Sequence, residues 1–348
     1  LALKGSGWSE ALNWLIEFGV KNGKILFAVV LNRSMAPKLQ FPIEFQNRLR
    51  RIVPAGIISN VNRAYVEGQP ITGRVNTLKS SIKDVVKSLA QERIEIVSSN
   101  EIPEAFVVIK GNFKKLTDTD CYQKGWIYLQ SLSSQIPPFV LDPKPGDRVL
   151  DMCASPGGKT TQMAALMQNQ GEMLACEPEQ RRFERLESNV KKQGASIVRC
   201  IRLDALKLNL EQNGLFDKIL LDAPCSSEGT FLLNEPPTWQ HWSLGFIEKQ
   251  AALQKRFLQK AIELLKEGGT LVYSTCALSP EENEGVLDFI VTNFPEMNLI
   301  EIASKFNFLK PPLTQWGGQA FSPQVSQARR IYPSVNFEGF FVGKLIKK

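Results

Sequence analysis

From Pro145 to the C-terminus, short apolar segments alternate with longer amphipathic segments, and few arrangements of secondary structure satisfy such a pattern. The apolar segments predict strands at 148–154, 172–178, 196–204, 216–224, 270–277, 299–302 and 339–346. The amphipathic segments predict helices at 158–168, 179–193, 247–266 and 280–293. Alternating units of this kind form a doubly wound, mostly parallel α/β sheet, whose ligands lie beyond the carboxyl ends of the strands. The loops that follow residues 154, 178, 204, 224 and 276 are therefore expected around one cleft.

A smaller lobe is predicted in the N-terminal half, where the pattern is different. Strands at 71–78, 94–97 and 106–109 and a helix at 80–91 indicate an α+β arrangement in which a sheet packs on a helix. The lobe is expected to fold around its own apolar core.

The remaining N-terminal segments predict helices and a connection. Helical periodicity is present at 8–18 and 43–53, and the polar, proline-containing segment 131–145 is expected to join the two halves. The predicted division is an N-terminal helical region at 1–55, the small α+β lobe at 56–128 and the large α/β domain at 129–348.

Composition excludes several classes of protein. The longest aliphatic and aromatic run, 25–31, is far shorter than the roughly 18 residues that a membrane-spanning helix needs, and Leu1 begins no secretory signal. The six cysteines form no C-x-x-C pair and His241 is the only histidine, so neither a metal site nor a Ser-His-Asp triad is supported. Scattered cysteines are typical of reduced thiols, and we expect a cytoplasmic protein.

The formal charge of +7 is unevenly distributed. Residues 1–150 contain 20 lysines and arginines against 13 acidic residues, whereas residues 151–348 contain 22 against 22. Clustered cations attract a phosphate backbone through Coulomb forces and counterion release. The charge alone indicates either a nucleic-acid partner for the N-terminal half or a basic surface without a partner.

The segment 151–160, which follows the first predicted strand, is rich in glycine and opens a predicted helix. Glycines at such a turn let a ligand approach the backbone, and the helix N-terminus presents free N–H groups to it. A phosphate loop would need glycine five positions before Gly158, where Cys153 stands, and no G-x-G-x-x-G turn is present. The segment therefore indicates a small polar or anionic ligand other than a nucleoside triphosphate.

Acidic residues end three successive predicted strands: Glu177, Asp204 and Asp222. A single acid at a strand end most often caps the next helix. An acid that ends the second strand can also accept hydrogen bonds from ribose hydroxyls. Three such acids around one glycine-rich loop favour a nucleoside pocket.

Two cysteines follow the fourth and fifth strands, Cys225 in DAPCSS and Cys276 in STCA. A lone cysteine is usually a small core residue. The fourth and fifth strands are neighbours in a doubly wound sheet, so we expect the two thiols to approach one another across the cleft.

Four motifs, in order, resemble those of the Sun-type RNA (cytosine-5) methyltransferases, which use S-adenosylmethionine. They are DMCASPGGKT (151–160), LDAPCSSEGT (221–230), YSTCALSPEENE (273–284) and EGFFVGKL (338–345), and the resemblance covers residues 130–346. A weaker similarity at RVNTLK (74–79) extends to the family's N-terminal lobe. The resemblance implies a Rossmann-like doubly wound methyltransferase sheet with a smaller RNA-recognition-like lobe.

The resemblance also implies roles. Cys276 would be the nucleophile, Cys225 would assist product release, and Asp222 and Lys159 would face the target base. The residues that would hold S-adenosylmethionine are Cys153, Ala154, Ser155, Pro156, Gly157, Gly158, Lys159, Glu177, Arg182, Asp204 and Asp222. Ser155 stands where alanine is commoner in the family and Glu177 where aspartate is often found, but a small side chain and a carboxylate are retained.

The chemistry of cytosine explains why two thiols are needed. Carbon-5 is too electron-poor to attack a methyl sulfonium, so a thiolate must first add to carbon-6. Release then requires a base near the adduct, and Cys225 or a water is expected because no histidine is close. Asp222 near N3 would stabilise the protonated adduct, and a cation such as Lys159 would favour the thiolate of Cys276.

The target base must leave its stack, so an RNA-gripping lobe is expected. The basic lobe offers Lys114, Lys115, Lys124, Phe113, Tyr122, Trp126 and Tyr128 for phosphate contacts and base stacking. Packing between the two halves is an equal alternative for Trp126 and Tyr128, and we interpret His241 as structural rather than substrate-lining.

The sequence thus predicts a monomeric RNA (cytosine-5) methyltransferase that modifies tRNA or rRNA. Two alternatives remain open. A DNA cytosine-5 methyltransferase would use only the Pro-Cys cysteine as nucleophile, and a non-catalytic RNA-binding or ribosome assembly factor would be expected to have lost Cys276.

Overall fold

The computed structural model describes residues 39–302 and 306–348 in full, together with the backbone of residues 16–21 and 24–29. It contains two compact units, Leu1–Gln40 and Phe41–Lys348. In the first unit, strands β1 (Ile16–Lys21) and β2 (Lys24–Val29) pair as an antiparallel hairpin. The helix predicted at 8–18 is therefore wrong for residues 16–18, because IEFGVK alternates apolar and other residues with the period of a strand. The rest of that predicted helix lies outside the described residues.

The second unit begins with two helices and the small lobe. Helices α1 (Ile43–Ile52) and α2 (Ile58–Glu67) come first, and α1 confirms the helix predicted at 43–53. The lobe consists of β3 (Thr72–Val75), α3 (Ile82–Gln91), β4 (Glu95–Ser98), β5 (Ala105–Lys110), α4 (Phe113–Thr117), α5 (Asp120–Gln123) and β6 (Ile127–Leu129). Its strands form an antiparallel sheet in the order β4-β5-β3-β6.

The lobe packs around its own apolar cluster. Val85 and Leu89 from α3 are buried against Val75 and Phe106 from the sheet. The Ser81 side chain accepts a hydrogen bond from the Asp84 N–H and so caps α3. The predicted helix and three strands of the lobe are confirmed, whereas β6, only three residues long, was not predicted.

The connection between the lobe and the large sheet is buried. Helix α6 (Ile136–Leu141) lies within the segment that we expected to be a polar connection, and Ile136 and Leu141 are fully buried. The segment does join the two halves, and a helix forms within it because the two prolines occupy the first turn, where a missing N–H does no harm. Helix α6 packs against two central strands of the large sheet.

The large sheet has eight strands. In chain order its region contains β7 (Arg148–Asp151), α7 (Gly158–Leu166), β8 (Glu172–Cys176), α8 (Gln180–Gln193), β9 (Val198–Ile201), α9 (Leu210–Asn213), β10 (Phe216–Asp222), α10 (Leu244–Leu264), β11 (Leu265–Thr275), α11 (Glu284–Asn293), β12 (Met297–Leu299), β13 (Gln315–Trp316), β14 (Gln319–Ala320), β15 (Arg329–Ile331) and β16 (Phe340–Lys347). The order is β12-β16-β11-β10-β7-β8-β9, with β15 also pairing with β16, while β13 and β14 form a separate hairpin.

Strands β11, β10, β7, β8 and β9 are parallel, and β16 runs antiparallel beside β11. The predicted Rossmann-like sheet is therefore confirmed. Alternate residues of a strand face opposite layers: Ile219 packs in the cluster that includes α10 and α11, and Leu220 packs in the cluster that includes α6 and α7. Full burial of such a side chain contributes roughly 1.5–3 kcal/mol. Among the described residues, none of the helices has the length and apolarity needed to cross a membrane.

Candidate active site

A cleft of about 450 Å³ lies at the carboxyl ends of β7 and β10, beside the loop that follows β11. The small lobe, the glycine-rich loop, the strand ends and the C-terminal segment all contribute to its walls. The lining residues are Tyr128, Leu129, Gln130, Ser131, Ser134, Asp151, Cys153, Ala154, Ser155, Pro156, Gly158, Lys159, Asp222, Thr230, Cys276, Glu338 and Phe340. Of the predicted site residues, the structure brings Cys153, Ala154, Ser155, Pro156, Gly158, Lys159, Asp222 and Cys276 to this cleft.

The glycine-rich loop connects β7 to α7 through a left-handed turn. Gly157 has φ +103°, a conformation that favours glycine, and α7 begins at the next residue. A Cβ on Gly158 would lie 3.1 Å from Cε1 of Tyr128, so glycine also permits close packing of the lobe here. Gly158 and Lys159, the first two residues of α7, line the cleft, and the first N–H groups of a helix have no partner within the helix.

Asp151 ends β7 at the base of this loop and is only 1% exposed. Its Oδ2 accepts a hydrogen bond of 2.7 Å from Thr160 Oγ1, while Oδ1 has no partner in the described part of the chain. Burial is the main cause that raises the pKa of Asp151 to about 7. Asp151 is not among the residues predicted for the site, and its position, an acid at a strand end beside the loop like Glu177, is the sequence signal that could have identified it.

The other predicted cofactor residues have partners within the chain. The Glu177 carboxylate accepts a hydrogen bond of 3.0 Å from the Glu179 N–H and lies 3.2 Å from the Arg182 guanidinium. Asp204 accepts the Leu206 N–H at 3.0 Å and so caps a short helical turn, the commoner role of such an acid. Glu177, Arg182 and Asp204 are not among the residues that line the cleft.

Asp222 ends β10 and is held by two donors. Lys159 Nζ lies 2.6 Å from its Oδ2, and Ser274 Oγ donates to its Oδ1 at 2.7 Å. Lys159 also donates to Ser134 Oγ at 2.7 Å. The ammonium of Lys159 is thus directed at Asp222, and the carboxylate has a fixed orientation at the cleft wall.

The two predicted cysteines lie next to each other. Parallel pairing places Asp222 opposite Ser274, so Cys225 and Cys276 both lie just beyond their strand ends, and their Sγ atoms are 3.4 Å apart. The expected approach of the thiols is confirmed. The hydrogen bond to Cys276, followed by burial, raises the pKa of Cys225 well above its usual range. Either sulfur can be the donor of this hydrogen bond.

Arg74, Asn76 and Lys79 of the RVNTLK segment contact residues of α7 and α8. Arg74 NH2 donates to Thr161 Oγ1 at 2.8 Å and to the Gly158 carbonyl at 3.2 Å. Asn76 Nδ2 donates to the Gln193 carbonyl at 2.7 Å, and Lys79 Nζ donates to the Lys192 carbonyl at the same distance. These contacts fix the small lobe against α7 and α8.

The aromatic residues of the lobe have different positions. Tyr128 lines the cleft and its hydroxyl donates to the Pro156 carbonyl at 3.4 Å. Trp126 packs on the core of the lobe, whereas Phe113 is 60% exposed. His241 is exposed and meets Phe246 edge-on, with ring centroids 5.3 Å apart.

Several cleft residues were not identified from the sequence. Ser134 comes from the segment interpreted as a connection, and Gln130 immediately precedes that segment. Glu338 is the first residue of the EGFFVGKL motif, and burial raises its pKa. Its place within a recognised motif is the signal that could have identified it.

The fold and the cleft together define a methyltransferase of the Rossmann-like class. The family model for 16S rRNA methyltransferase RsmB/F matches residues 138–346, which is more than half of the chain. The chain therefore belongs to this family of RNA methyltransferases, and its resemblance to the Sun-type RNA (cytosine-5) methyltransferases is confirmed.

Individual relatives agree with this assignment. The chain is 37% identical over 282 residues to tRNA (cytosine(49)-C(5))-methyltransferase of Pyrococcus abyssi, covering 79% of this chain and 87% of the relative. It is 31% identical over 284 residues to 25S rRNA (cytosine-C(5))-methyltransferase nop2 of Schizosaccharomyces pombe, covering 80% of this chain and 46% of the relative. A methyltransferase homologue from Pyrococcus horikoshii of known structure has 36% identity and a TM-score of 0.78, covering 89% of this chain and 96% of that one.

Proposed function

We propose that this RNA (cytosine-C5) methyltransferase uses S-adenosylmethionine and acts through a transient covalent bond between Cys276 and the target cytosine. The observation that carries the proposal is the pair of sulfurs 3.4 Å apart at the ends of β10 and β11. Cys276 lines the same cleft as Asp222 and the glycine-rich loop, so nucleophile, carboxylate and cofactor loop share one space.

The glycine-rich side of the cleft fits the cofactor. The N-terminal N–H groups of α7 would receive its carboxylate, and the buried, unpartnered Oδ1 of Asp151 would accept from its ammonium. Glu177 would accept hydrogen bonds from the ribose hydroxyls once the Arg182 side chain turns away. The Arg182 side chain is about half exposed. Backbone of Cys153, Ala154, Ser155 and Pro156 forms the adjoining wall, and Asp204 is placed at the next strand end. S-adenosylmethionine bound there supplies the methyl group as an electrophilic sulfonium.

Cys276 carries out the first step. Its thiolate forms a bond to carbon-6 of cytosine, and the electron pair of the carbon-5–carbon-6 double bond makes carbon-5 nucleophilic. N3 of the ring takes up a proton from solvent as the adduct forms, and Asp222, fixed by Lys159 and Ser274, stabilises that proton until the ring returns it on release. Carbon-5 can then accept the methyl group.

Cys225 assists release. The largest cause of its raised pKa is the hydrogen bond to Cys276, and that bond is weakened once the Cys276 sulfur is bonded to carbon-6. Cys225 can then lose its proton to solvent, and its thiolate takes the proton from carbon-5. The pair of electrons left behind restores the double bond and expels the Cys276 thiolate from carbon-6.

The N-terminal lobe, residues 56–128, supplies the grip on RNA in this proposal, and residues 129–348 form the catalytic domain. Exposed Phe113, Lys114 and Lys115 lie together on α4 and offer a stacking surface with two cations. Relatives named for tRNA and for rRNA support either RNA as the substrate. We further propose that the protein acts as a cytoplasmic monomer.

Trapping of the covalent intermediate tests the proposal. Each variant is incubated with unmodified tRNA or rRNA transcripts and radiolabelled S-adenosylmethionine, and then run on a denaturing gel. We expect Cys225→Ala to accumulate a protein–RNA band and Cys276→Ala to lose both that band and methylation. Cys200→Ala, half-buried on β9, is the control that should behave as the unmodified protein.

The other outcomes separate the alternatives. The reverse pattern for the two cysteines would exchange their roles and favour the mechanism of a DNA-type enzyme. RNA binding by the unmodified protein without methylation of either RNA would favour an assembly factor.

A further inference from the structure

Two buried glutamates connect the loops that carry the cysteines. We name these the Cys225 loop (223–230) and the Cys276 loop (276–283). Glu228 belongs to the first loop but holds the second: its Oε2 accepts the N–H groups of Leu278 at 3.0 Å and Ser279 at 2.6 Å. Its Oε1 accepts from Ser279 Oγ at 2.8 Å and from Trp242 Nε1 at 2.7 Å. Glu228 is 1% exposed and both of its oxygens are fully used.

Glu282 makes the reciprocal connection. It belongs to the Cys276 loop, and its Oε1 accepts the N–H of Ser226, the residue after Cys225, at 2.8 Å. Gln254 Nε2 donates to the same oxygen at 3.0 Å, and the Ser226 hydroxyl bonds to Oε2. Glu282 is 0% exposed, and burial, followed by the charge of Glu228, raises its pKa to about 8.

The strands themselves do not fix these loops. Regular pairing of β10 with β11 ends at Asp222 and Ser274, and beyond it a backbone bond of 2.8 Å from Gly229 N to the Cys276 carbonyl joins the loops. Burial of a carboxylate is costly unless it is fully hydrogen-bonded. The crossed glutamates therefore supply the hydrogen bonds that a strand would otherwise supply. Glu282 supplies them at the residue next to Cys225, and Glu228 supplies them two and three residues beyond Cys276.

We propose that Glu228 and Glu282 are positioning residues with separate tasks: Glu228 places Cys276 for attack on carbon-6, and Glu282 places Cys225 for release. The inference rests on the roles proposed above for the two cysteines. It adds that each loop is set by a carboxylate from the opposite loop, so damage to one glutamate affects one half of the reaction.

The donors around the two glutamates differ, and this gives a matched pair of variants. Every orientation of glutamine at 228 directs its NH2 group at N–H donors, either Trp242 Nε1 or the backbone of Leu278 and Ser279. At 282, glutamine can keep its oxygen on the Ser226 and Gln254 donors and direct its NH2 group at the Ser226 hydroxyl, which can accept. Glu282→Gln should therefore be tolerated and Glu228→Gln should not.

The experiment compares kcat, KM and the adduct band for Glu282→Ala, Glu282→Gln and Glu228→Gln, with Cys225→Ala as the reference for the adduct. We expect Glu282→Ala to lower kcat about 10–100-fold, since displacement of a reacting group by about 1 Å has effects of this size, and to accumulate the adduct as Cys225→Ala does. Glu282→Gln should restore turnover and remove the band. Glu228→Gln should lower kcat to a similar extent with loss of the adduct. The KM for S-adenosylmethionine should stay within about twofold in all of them.

A purely structural role predicts a different result, in which both glutamate variants lose adduct and turnover in proportion to their loss of folded protein. That result would overturn the inference. If Glu282→Ala fails to fold, Ser226→Ala is tested in its place. This variant removes the hydroxyl contact to Glu282 but keeps the backbone hydrogen bond, so the adduct should accumulate to a smaller extent. No accumulation of the adduct would contradict the inference. Failure of Cys225→Ala itself to trap RNA would instead contradict the proposed function, so the two failures are distinguishable.

Discussion

The two sides of the cleft are built in opposite ways. On the thiol side, formed by the Cys225 and Cys276 loops, every carboxylate oxygen of Glu228 and Glu282 accepts hydrogen bonds from the chain itself. On the glycine side, residues 151–160, Asp151 uses one oxygen for Thr160, and its second oxygen is buried without a partner in the described residues.

The difference indicates how each side gains its active geometry. A buried polar atom left unpaired costs about 1–3 kcal/mol, and a ligand that pairs with it recovers that free energy. The thiol side is preorganised by the fold, whereas the glycine side is completed by the molecule it binds. Substitutions of the paired side chains on the thiol side should therefore act mainly on stability and turnover, and substitution of the unpaired Asp151 on the glycine side mainly on affinity.

The largest effect is expected from Arg330→Met, which breaks the support of the thiol side. Arg330 and Glu284 form an ion pair with both side chains 0% exposed, and Arg330 NH1 donates to the Leu278 carbonyl at 2.8 Å. Loss of the arginine leaves a buried, uncompensated carboxylate, so the free energy of unfolding should fall by about 3–5 kcal/mol. Urea denaturation followed by circular dichroism measures this change.

The control for this variant is Arg63→Met. Arg63 pairs with Glu67 at 3.8 Å with both side chains more than half exposed, and the expected change is at most about 1 kcal/mol. Addition of Glu284→Gln to Arg330→Met should recover part of the loss. Equal effects of the Arg330 and Arg63 variants would show that the thiol side does not depend on its buried ion pair.

On the thiol side, the sequence predicted the approach of the two cysteines but not the glutamate contacts that hold their loops. Parallel strand order alone predicts that Cys225 and Cys276 approach one another, because the ends of neighbouring strands meet at one edge. The crossed contacts of Glu228 and Glu282 depend on how two irregular loops fold beyond the strands, and no periodicity reports that. Both residues lay inside recognised motifs without any predicted role.

On the glycine side, prediction is limited by side-chain partners that come from other elements, and not by irregular loops. Asp204 has the sequence position of a cofactor ligand, and one of its carboxylate oxygens also caps a helical turn, a use that the sequence pattern does not distinguish from the first. Gln130 and Ser134 reach the cleft because α6 is buried. The prolines of α6, taken by themselves, indicate a break in a helix and so did not predict this. Local patterns predicted the elements well, whereas side-chain partners across elements were not predictable from them.

A smaller effect is expected from Gly157→Ala on the glycine side. Gly157 has φ +103°, and an alanine Cβ there would lie 3.2 Å from Leu186 Cδ1. A side chain in this left-handed region costs about 1–2 kcal/mol, so thermal unfolding should shift downward accordingly. Gly245→Ala, within α10 and with nothing within 4 Å of its Cβ, should be neutral or stabilising. A neutral Gly157→Ala would show that the turn relaxes without strain.

The smallest effect, and the sharpest test of the comparison, concerns Asp151→Asn. Burial and then the charge of Asp222 raise the pKa of Asp151 to about 7, while the Thr160 hydrogen bond, the charge of Lys159 and the backbone N–H of Cys153 oppose the shift. A cationic ligand binds the ionised carboxylate more tightly, so the affinity of the unmodified protein for S-adenosylmethionine should rise about tenfold from pH 6 to pH 8.

Asparagine keeps an oxygen towards the cleft and an amide that can donate to Thr160, but it does not ionise, so most of this pH dependence should disappear in the variant. Calorimetric titration at each pH gives the affinity of both proteins for S-adenosylmethionine. Protonation of the ligand itself affects both proteins equally, so it cancels in the difference between their affinities. Because Glu228 and Glu282 are already fully paired, Glu282→Gln should leave the pH dependence of affinity unchanged. The same pH slope for the unmodified protein and Asp151→Asn would mean that the unpaired oxygen does not receive the ligand, and the two sides of the cleft would then differ in shape only.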